Sequence, residues 1–417
     1  MTRPKVHLTP DAGWMNDPHG VFFLDGRYHL FYQRVPQSVE WRHDVHWGYA
    51  TSDDLLHWRL EPDALAPGDG DEGCWSGCAV VGDDGRPVIF YTSVAAPDRH
   101  LGRIRIARQD PATGEWVKGE IIAESMTPDT RMFRDPMIFR DGDTWRMLVG
   151  SGTAEGVAGA QLFRSTNLDE WEYDGWLAQR STDARDPWTG AGWECPQILR
   201  HVGGDGGDVL VVSVWDDKEP NDQGPNGVAA ASGRLVGETF SAKSWRVLSG
   251  HHHFAATSFT DPAGRACLIF WIWDIHDHGT WAGALSIPYV VTTASDDVRL
   301  SPHPAVSAAR LPCEGLPGLS LDIEWTHEPG AELALAGSDG RKRAMLKAGD
   351  GRILVKISGQ ADPIEVLHTS PRLRVIVDAQ VLEVVADGGL VGLPLDVPDG
   401  GFVPIAEGPG ALDWWHL

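Results

Sequence analysis

The chain has 417 residues, enough for one large and one small domain. Its 59 acidic against 35 basic residues give a formal charge of −24, which argues against nucleic acid or an anionic membrane as partner and fits a neutral, polyhydroxylated ligand. The N-terminus, MTRPKVHLTPDAGW, lacks a signal peptide's apolar core and no stretch approaches 18 uninterrupted apolar residues, so a cytoplasmic protein is expected.

Along the chain, period-2 apolar runs dominate and helical stripes of period 3.6 are scarce. The first runs are Val21–Tyr32, Ala79–Tyr91 and Met137–Val149, each broken by a turn at Asp25-Gly26, Asp84-Gly85 or Asp141-Gly142. Such turns between apolar runs predict hairpins. Val209–Trp215 and Ala266–Trp273 continue the pattern, and 48 Gly and 28 Pro punctuate an all-β chain. A polar turn followed by Trp closes four segments, at Trp58, Trp116, Trp171 and Trp245. Repeats built of four strands each are the signature of propeller blades, and a further segment through Pro288 makes five. The expected architecture is therefore a five-bladed β-propeller over residues 1–300. A Pro/Ala/Gly-rich stretch, 301–318, reads as a linker. Beyond it, short alternating runs (Leu319–Trp325, Ala331–Ala336, Ile353–Ile357, Leu373–Val377, Val381–Val385) predict a small β-sandwich over 319–417.

Three carboxylates sit in Pro-terminated turns just before apolar strands: Asp17 in WMNDPHG, Asp135 in FRDP and Glu194 in WECP. A following Pro is expected to hold its predecessor extended and so fix the carboxylate's direction. In a propeller the first strand of every blade lines the central channel, so three such turns on different blades would converge. Paired carboxylates in one pocket are what glycoside hydrolysis requires, one attacking the anomeric carbon and one protonating the leaving oxygen. Any one of these motifs alone reads as an ordinary turn. Nineteen tryptophans pack cores in the main, and a few in a pocket would serve as platforms for sugar rings. The five cysteines show neither a disulfide framework nor zinc-ligand spacing, since Cys74 and Cys78 lack a second pair. Buried free thiols are expected, with no metal and no cofactor.

In this order, the three motifs resemble glycoside hydrolase family 32, which contains invertases, inulinases and levanases. The resemblance extends to HLTPDAGWMNDPHG, YHLFYQ, WRHDVHWGYATSDDLLHW, GCWSGCAV, GTWAGALSIP and LRVIVDAQVLEVVADGG. It implies a five-bladed propeller followed by a sandwich. It also implies Asp17 as nucleophile, Asp135 as transition-state stabiliser and Glu194 as general acid/base. Asn16, Gln33, Trp41, Ser76 and Arg134 become contacts of a fructose subsite, with Trp271 a further wall. Arg134, beside Asp135, is expected to help keep that carboxylate ionised. Three features depart from the family's pattern. His19 stands where Asn is usual, as a packing change or an added titrating group. His252 or His253 stands where an acid is expected, and with His251 borders the region that would select the leaving group. The C-terminal motif has Ala379-Gln380 where Arg-Ser is common.

The expected activity is hydrolysis of terminal β-fructofuranosyl bonds through a covalent fructosyl-enzyme. A fructosyltransferase with the same carboxylates, or a non-catalytic fructoside-binding protein, stands as the alternative.

Overall fold

The computed structural model describes residues 2–203, 206–216 and 227–417. The described residues are all-β, with one five-residue helix among them, Pro304–Ala308. The first four strands are β1 (Gly13–Leu24), β2 (Arg27–Val35), β3 (His46–Ser52) and β4 (Trp58–Leu65), paired as an antiparallel meander. β5 (Gly73–Val81), β6 (Pro87–Val94), β7 (Arg103–Gln109) and β8 (Trp116–Ala123) repeat it. So do β9 (Thr130–Asp141), β10 (Thr144–Thr153), β11 (Val157–Ser165) and β12 (Glu172–Ser181). A fourth meander follows with β13 (Gly192–Val202), β14 (Gly207–Trp215), β15 (Val228–Val236) and β16 (Thr239–Ser249).

The expected turns at Asp25-Gly26, Asp84-Gly85 and Asp141-Gly142 do join first to second strands. Asp25 and Gly26 both have positive φ (50° and 83°), the backbone that a two-residue hairpin of this hand requires. The polar turn with its Trp marks the fourth strand of each meander: Trp58 opens β4, Trp116 opens β8, Trp171 precedes β12 and Trp245 lies in β16. The Trp58 and Trp171 indoles donate to the carbonyls of Leu55 and Leu168, three residues back in each case, so the same local lock recurs.

β17 (His253–Thr260), β18 (Ala266–His276), β19 (Trp281–Leu285), β20 (Tyr289–Ala294) and β21 (Asp297–Pro302) form a less regular fifth set around β18. β19 pairs in parallel with β1, Gly13 opposite Trp281, so the last set is hydrogen-bonded to the first. The stretch 301–318 contains the end of β21 and the short helix, which His303 caps through its side chain.

The rest of the chain forms two sheets. β22 (Ser320–His327), β27 (Arg372–Asp378), β28 (Val381–Ala386), β29 (Gly389–Pro394) and β31 (Gly410–His416) make one. β23 (Glu332–Ala336), β24 (Lys342–Ala348), β25 (Arg352–Ile357), β26 (Ile364–Leu367) and β30 (Val403–Glu407) make the other. Alternating inward residues such as Leu321, Ile323, Trp325, Leu346, Val355, Val375 and Leu393 fill the space between them. The first sheet also touches the fourth meander, where Ser249 of β16 meets Leu390 of β29. Among the described residues no helix is long and apolar enough to cross a membrane.

Candidate active site

The opening strands β1, β5, β9, β13 and β17 share an irregularity. Each loses register with its neighbour at a corresponding place, leaving extra residues unpaired: Asn16-Asp17, Ser76, Asp135-Pro136, Cys195-Pro196 and Ala255-Ala256. A β-bulge bends the strand and re-aims the side chains at the extra residues, and here it presents every site carboxylate or its neighbour. The backbone differs from the extended form expected before Pro. Asp135 has φ of 64° and Cys195 of 45°, the left-handed region. The bulge geometry imposes this, and it overrides the preference of a residue preceding proline.

The bulges bring the expected residues together. Asp17 is held by two donors: the Ser76 hydroxyl at 2.6 Å on Oδ2 and the Asn16 amide at 2.9 Å on Oδ1. Asn16 also donates to Gln33 Oε1 at 2.9 Å, and Gln33 donates back to the Ser76 hydroxyl, which closes a ring of four polar side chains. The Trp14 indole fixes Asn16 from behind at 2.9 Å and packs edge-on against Trp271 at 5.6 Å. Trp271 is buried within the same core, so it meets this ring through Trp14.

Arg134 is buried, and its fork is directed at Glu194, with Nη2 at 2.8 Å and Nε at 3.0 Å from Oε1. The guanidinium lies between two indoles, 5.9 Å from Trp75 and 5.4 Å from Trp215. Trp41, 41% exposed, stands edge-on to Trp75 at 5.6 Å. Asp135 accepts the backbone N–H of Cys195 at 3.0 Å, and its own N–H donates to the Thr92 hydroxyl. The Cys195 thiol lies 3.6 Å from Asp135 Oδ2 and 3.8 Å from Asp17 Oδ2, between the two carboxylates.

Burial is the largest influence on the two aspartates. It pushes Asp17 above the ordinary carboxylate range, opposed by the Ser76 and Asn16 hydrogen bonds and reinforced by the charge of Glu194. Asp135 is pushed up to about 7, again by burial and by Glu194 and Asp17, with Arg134 acting against the shift. Arg134 does act to keep Asp135 ionised, as expected, but burial outweighs its charge.

Sequence reasoning missed Trp75, Trp215, His100, Thr92 and Cys195 around this centre. One signal for the arrangement was in view. Asp17, Ser76, Asp135 and Glu194 are each 59 residues apart, so Ser76 halves the interval between the first two carboxylates.

The remaining expectations fall elsewhere. His19 is buried and packs tilted against Trp47 at 4.3 Å, and burial depresses its pKa to about 3, so it is a packing residue that stays neutral at physiological pH. His253 is buried against Glu383 at 2.8 Å, and His252 bonds the Gly392 carbonyl at 2.9 Å, so both face the C-terminal sheets. All five cysteines are free and all but Cys313 are buried. Asp261, Cys267 and His303 are close enough to share an ion, yet Arg265 at 2.6 Å and His303 at 2.9 Å already occupy Asp261 Oδ2.

A family model, the glycosyl hydrolases family 32 N-terminal domain, matches residues 7–304. The chain belongs to glycoside hydrolase family 32. A sucrose-6-phosphate hydrolase of Escherichia coli is 34% identical over 305 residues, 68% of this family 32 chain and 61% of that protein. A raffinose invertase of Escherichia coli is 33% identical over 340 residues, 76% of this chain and 68% of that one. The chain therefore spans about three fifths of the length of the first of these relatives. Among solved structures, a family 32 β-fructofuranosidase of Bombyx mori superposes with a TM-score of 0.83 at 25% identity, covering 100% of this chain and 94% of that one. A mutant of the same silkworm enzyme in complex with sucrose superposes equally well, over 99% and 93% of the two chains.

Proposed function

We propose that this family 32 chain hydrolyses terminal β-fructofuranosyl bonds by a two-step retaining mechanism. The observation that carries the reading is the convergence of Asp17, Asp135 and Glu194 from the first, third and fourth meanders onto one centre, where Asp17 and Asp135 each respond to the charge of Glu194. In the first step Asp17 attacks the anomeric carbon of the fructosyl unit while Glu194 gives its proton to the leaving oxygen. In the second, Glu194 takes a proton from water, which attacks the same carbon and frees Asp17. Asp135 holds sugar hydroxyls beside the developing oxocarbenium ion. Asn16, Gln33 and Ser76 supply the amides and hydroxyl that bind and aim, Trp41 supplies an indole wall, and Arg134 positions Glu194. Trp271 acts on this subsite through Trp14. The bound molecule is a fructose-containing sugar, with no cofactor or metal in the mechanism.

We read the five sets of strands as the blades of a propeller over residues 1–300. Its inner strands would be β1, β5, β9, β13 and β17, and the β1–β19 pairing would close the ring. Residues 301–318 would then connect it to a sandwich over 319–417. The equal spacing of the bulges supports this arrangement.

The test is product analysis at high sucrose with the two principal variants. Equal amounts of free glucose and fructose are expected, and fructosyl oligomers in their place would favour a transferase. Asp17→Ala should abolish turnover on every fructoside. Glu194→Ala should lose about 10²–10⁴-fold on sucrose and much less on a fructoside with an activated leaving group. Substantial turnover by Asp17→Ala would refute the assignment.

A further inference from the structure

One buried hydroxyl outside the proposed catalytic set touches the backbone at two of the bulges. Thr92 lies on β6 with no solvent exposure. Its hydroxyl donates to the Ser76 carbonyl at 2.8 Å and accepts the backbone N–H of Asp135 at 2.9 Å. A hydroxyl offers one proton and two lone pairs, so a single oxygen serves both neighbours at once. Both neighbours are bulge residues. The pairing of β5 with β6 passes from Trp75 to Gly77, and that of β9 with β10 skips Asp135, so neither residue has an opposite residue on its hairpin partner. Buried backbone groups at such places need partners from elsewhere, and Thr92 supplies one to each.

The two bonds complete a path across four meanders. The Ser76 hydroxyl donates to Asp17 Oδ2 at 2.6 Å, and the Ser76 carbonyl accepts from Thr92. Thr92 accepts from Asp135, whose Oδ2 in turn accepts the N–H of Cys195, the residue after Glu194. β5 and β9 belong to different sheets, so no ladder spaces Ser76 from Asp135. The Thr92 hydroxyl joins them directly. Its methyl is seated as closely as its oxygen: a Cβ added at Gly102 would lie 2.2 Å from Thr92 Cγ2 and 3.0 Å from the Phe133 carbonyl. The Gly102 N–H is itself bonded to that carbonyl at 3.0 Å. Packing on one side and hydrogen bonds on the other hold the Thr92 side chain in one rotamer.

Building on the hydrolase reading above, we infer that Thr92 is a positioning residue of the reaction, whose hydroxyl sets the spacing of the Ser76 and Asp135 bulges and through them that of Asp17 and Asp135. It touches no reacting atom. A methyl in place of the oxygen would stand 2.8 Å and 2.9 Å from the two backbone atoms, where a carbon–oxygen contact needs about 3.3–3.6 Å. The bulges must then part by about half an ångström, and a misplacement of about 1 Å costs about a hundredfold in rate.

The test compares the parent chain with Thr92→Val and Thr92→Ser, each checked for folding by thermal unfolding. Thr92→Ala removes the hydroxyl without pressing a methyl on either bulge, and is measured in the same way should Thr92→Val not fold. In crystal structures, the separation of the Ser76 oxygen and the Asp135 nitrogen should change by about half an ångström in the hydroxyl-free variant. A separation equal to the parent's overturns the inference. On a fructoside with an activated leaving group, kcat/KM should fall about 10- to 100-fold in Thr92→Val and recover in Thr92→Ser. A serine variant as impaired as the valine one would show that the hydroxyl is not the agent. In a chain already carrying Asp135→Asn, the loss from Thr92→Val should be at least about threefold smaller, because a residue it positions is already disabled. An equal loss in both backgrounds would make Thr92 a support of the fold alone and overturn its part in the reaction. The crystallographic comparison needs no turnover. If the unmodified chain leaves sucrose and the activated fructoside untouched, the hydrolase reading falls, and the separation of the two bulges still decides whether Thr92 spaces them.

Discussion

At the scale of single residues, the site balances burial against hydrogen bonding. In the proposed mechanism Asp17 must be ionised to attack, yet burial pushes its pKa up. The 2.6 Å hydrogen bond from Ser76 favours the charged form and works against that rise. Ser76→Ala removes the donor, so the Asp17 pKa should climb further and more of the enzyme should carry a protonated, inactive carboxylate at any given acidic pH. The acid limb of kcat/KM, which reports the free enzyme, should move to higher pH. A pH–rate profile of the variant beside the parent checks this, and a limb that stays put or moves to lower pH would contradict the role given to Ser76. Cys195 belongs to the same balance. Its thiol lies within 3.8 Å of both aspartates, and burial followed by their negative charge keeps it protonated.

At the scale of elements, the bulge is the recurring device, and it depends on close backbone approaches that only glycine allows. On β10, Gly150 pairs with Arg134 beside the Asp135 bulge, and a Cβ there would lie 2.1 Å from the Trp193 carbonyl of β13. Neither backbone can yield without disturbing Arg134 or Glu194. Gly150→Ala should therefore lower stability by about 1–3 kcal/mol and reduce turnover together. Urea unfolding and sucrose hydrolysis on the same preparation decide it, and a variant with unchanged midpoint and activity would show that the strands separate freely. The bulges also explain which parts of the site could be read in advance. Asp17, Asp135 and Glu194 were legible because Pro follows each of them directly or one residue later, and the hairpins and Trp-marked fourth strands because period-2 patterning and Asx-Gly turns are local. The left-handed backbone at Asp135 and Cys195 was not, since it is fixed by pairing with a neighbouring strand. Trp215 and His100 were hidden for a similar reason. Their 5.8 Å contact joins residues 115 positions apart, and nothing near either one in the chain marks it.

At the scale of the whole molecule, the family 32 region and the C-terminal sheets are joined by charges buried with no exposure at all. His7 lies 3.0 Å from Asp378 and 2.7 Å from Glu383, and Glu383 also accepts from His253 at 2.8 Å and the Tyr289 hydroxyl at 2.6 Å. The backbone N–H groups of Lys5, Val6 and His7 all donate to Asp378. The LRVIVDAQVLEVV stretch read as fold support in the sequence, and its Asp378 and Glu383 turn out to hold the opposite end of the chain. Removing one member leaves the others buried and unpaired, so Glu383→Ala should cost about 3–5 kcal/mol. The sign of the pH dependence follows from the shifts. Burial alone would lower the pKa of His7, but hydrogen bonds and the charges of Asp378 and Glu383 raise it to about 9. Its contribution is full below its unfolded value near 6.5 and is lost as pH rises toward 9. Burial alone would raise the pKa of Glu383, but His253 and His7 bring it to about 2, so its contribution is full above 4.5 and is lost as pH falls toward 2. Comparing the chain with His7→Gln cancels the titrating groups that do not interact with His7, leaving His7 and its partners Asp378 and Glu383. The stability difference between them, taken from urea midpoints, should be largest at pH 6 and shrink by pH 9. A difference that holds constant or widens across that interval would mean that His7 is buried without its charge, and that the junction is held by neutral hydrogen bonds alone.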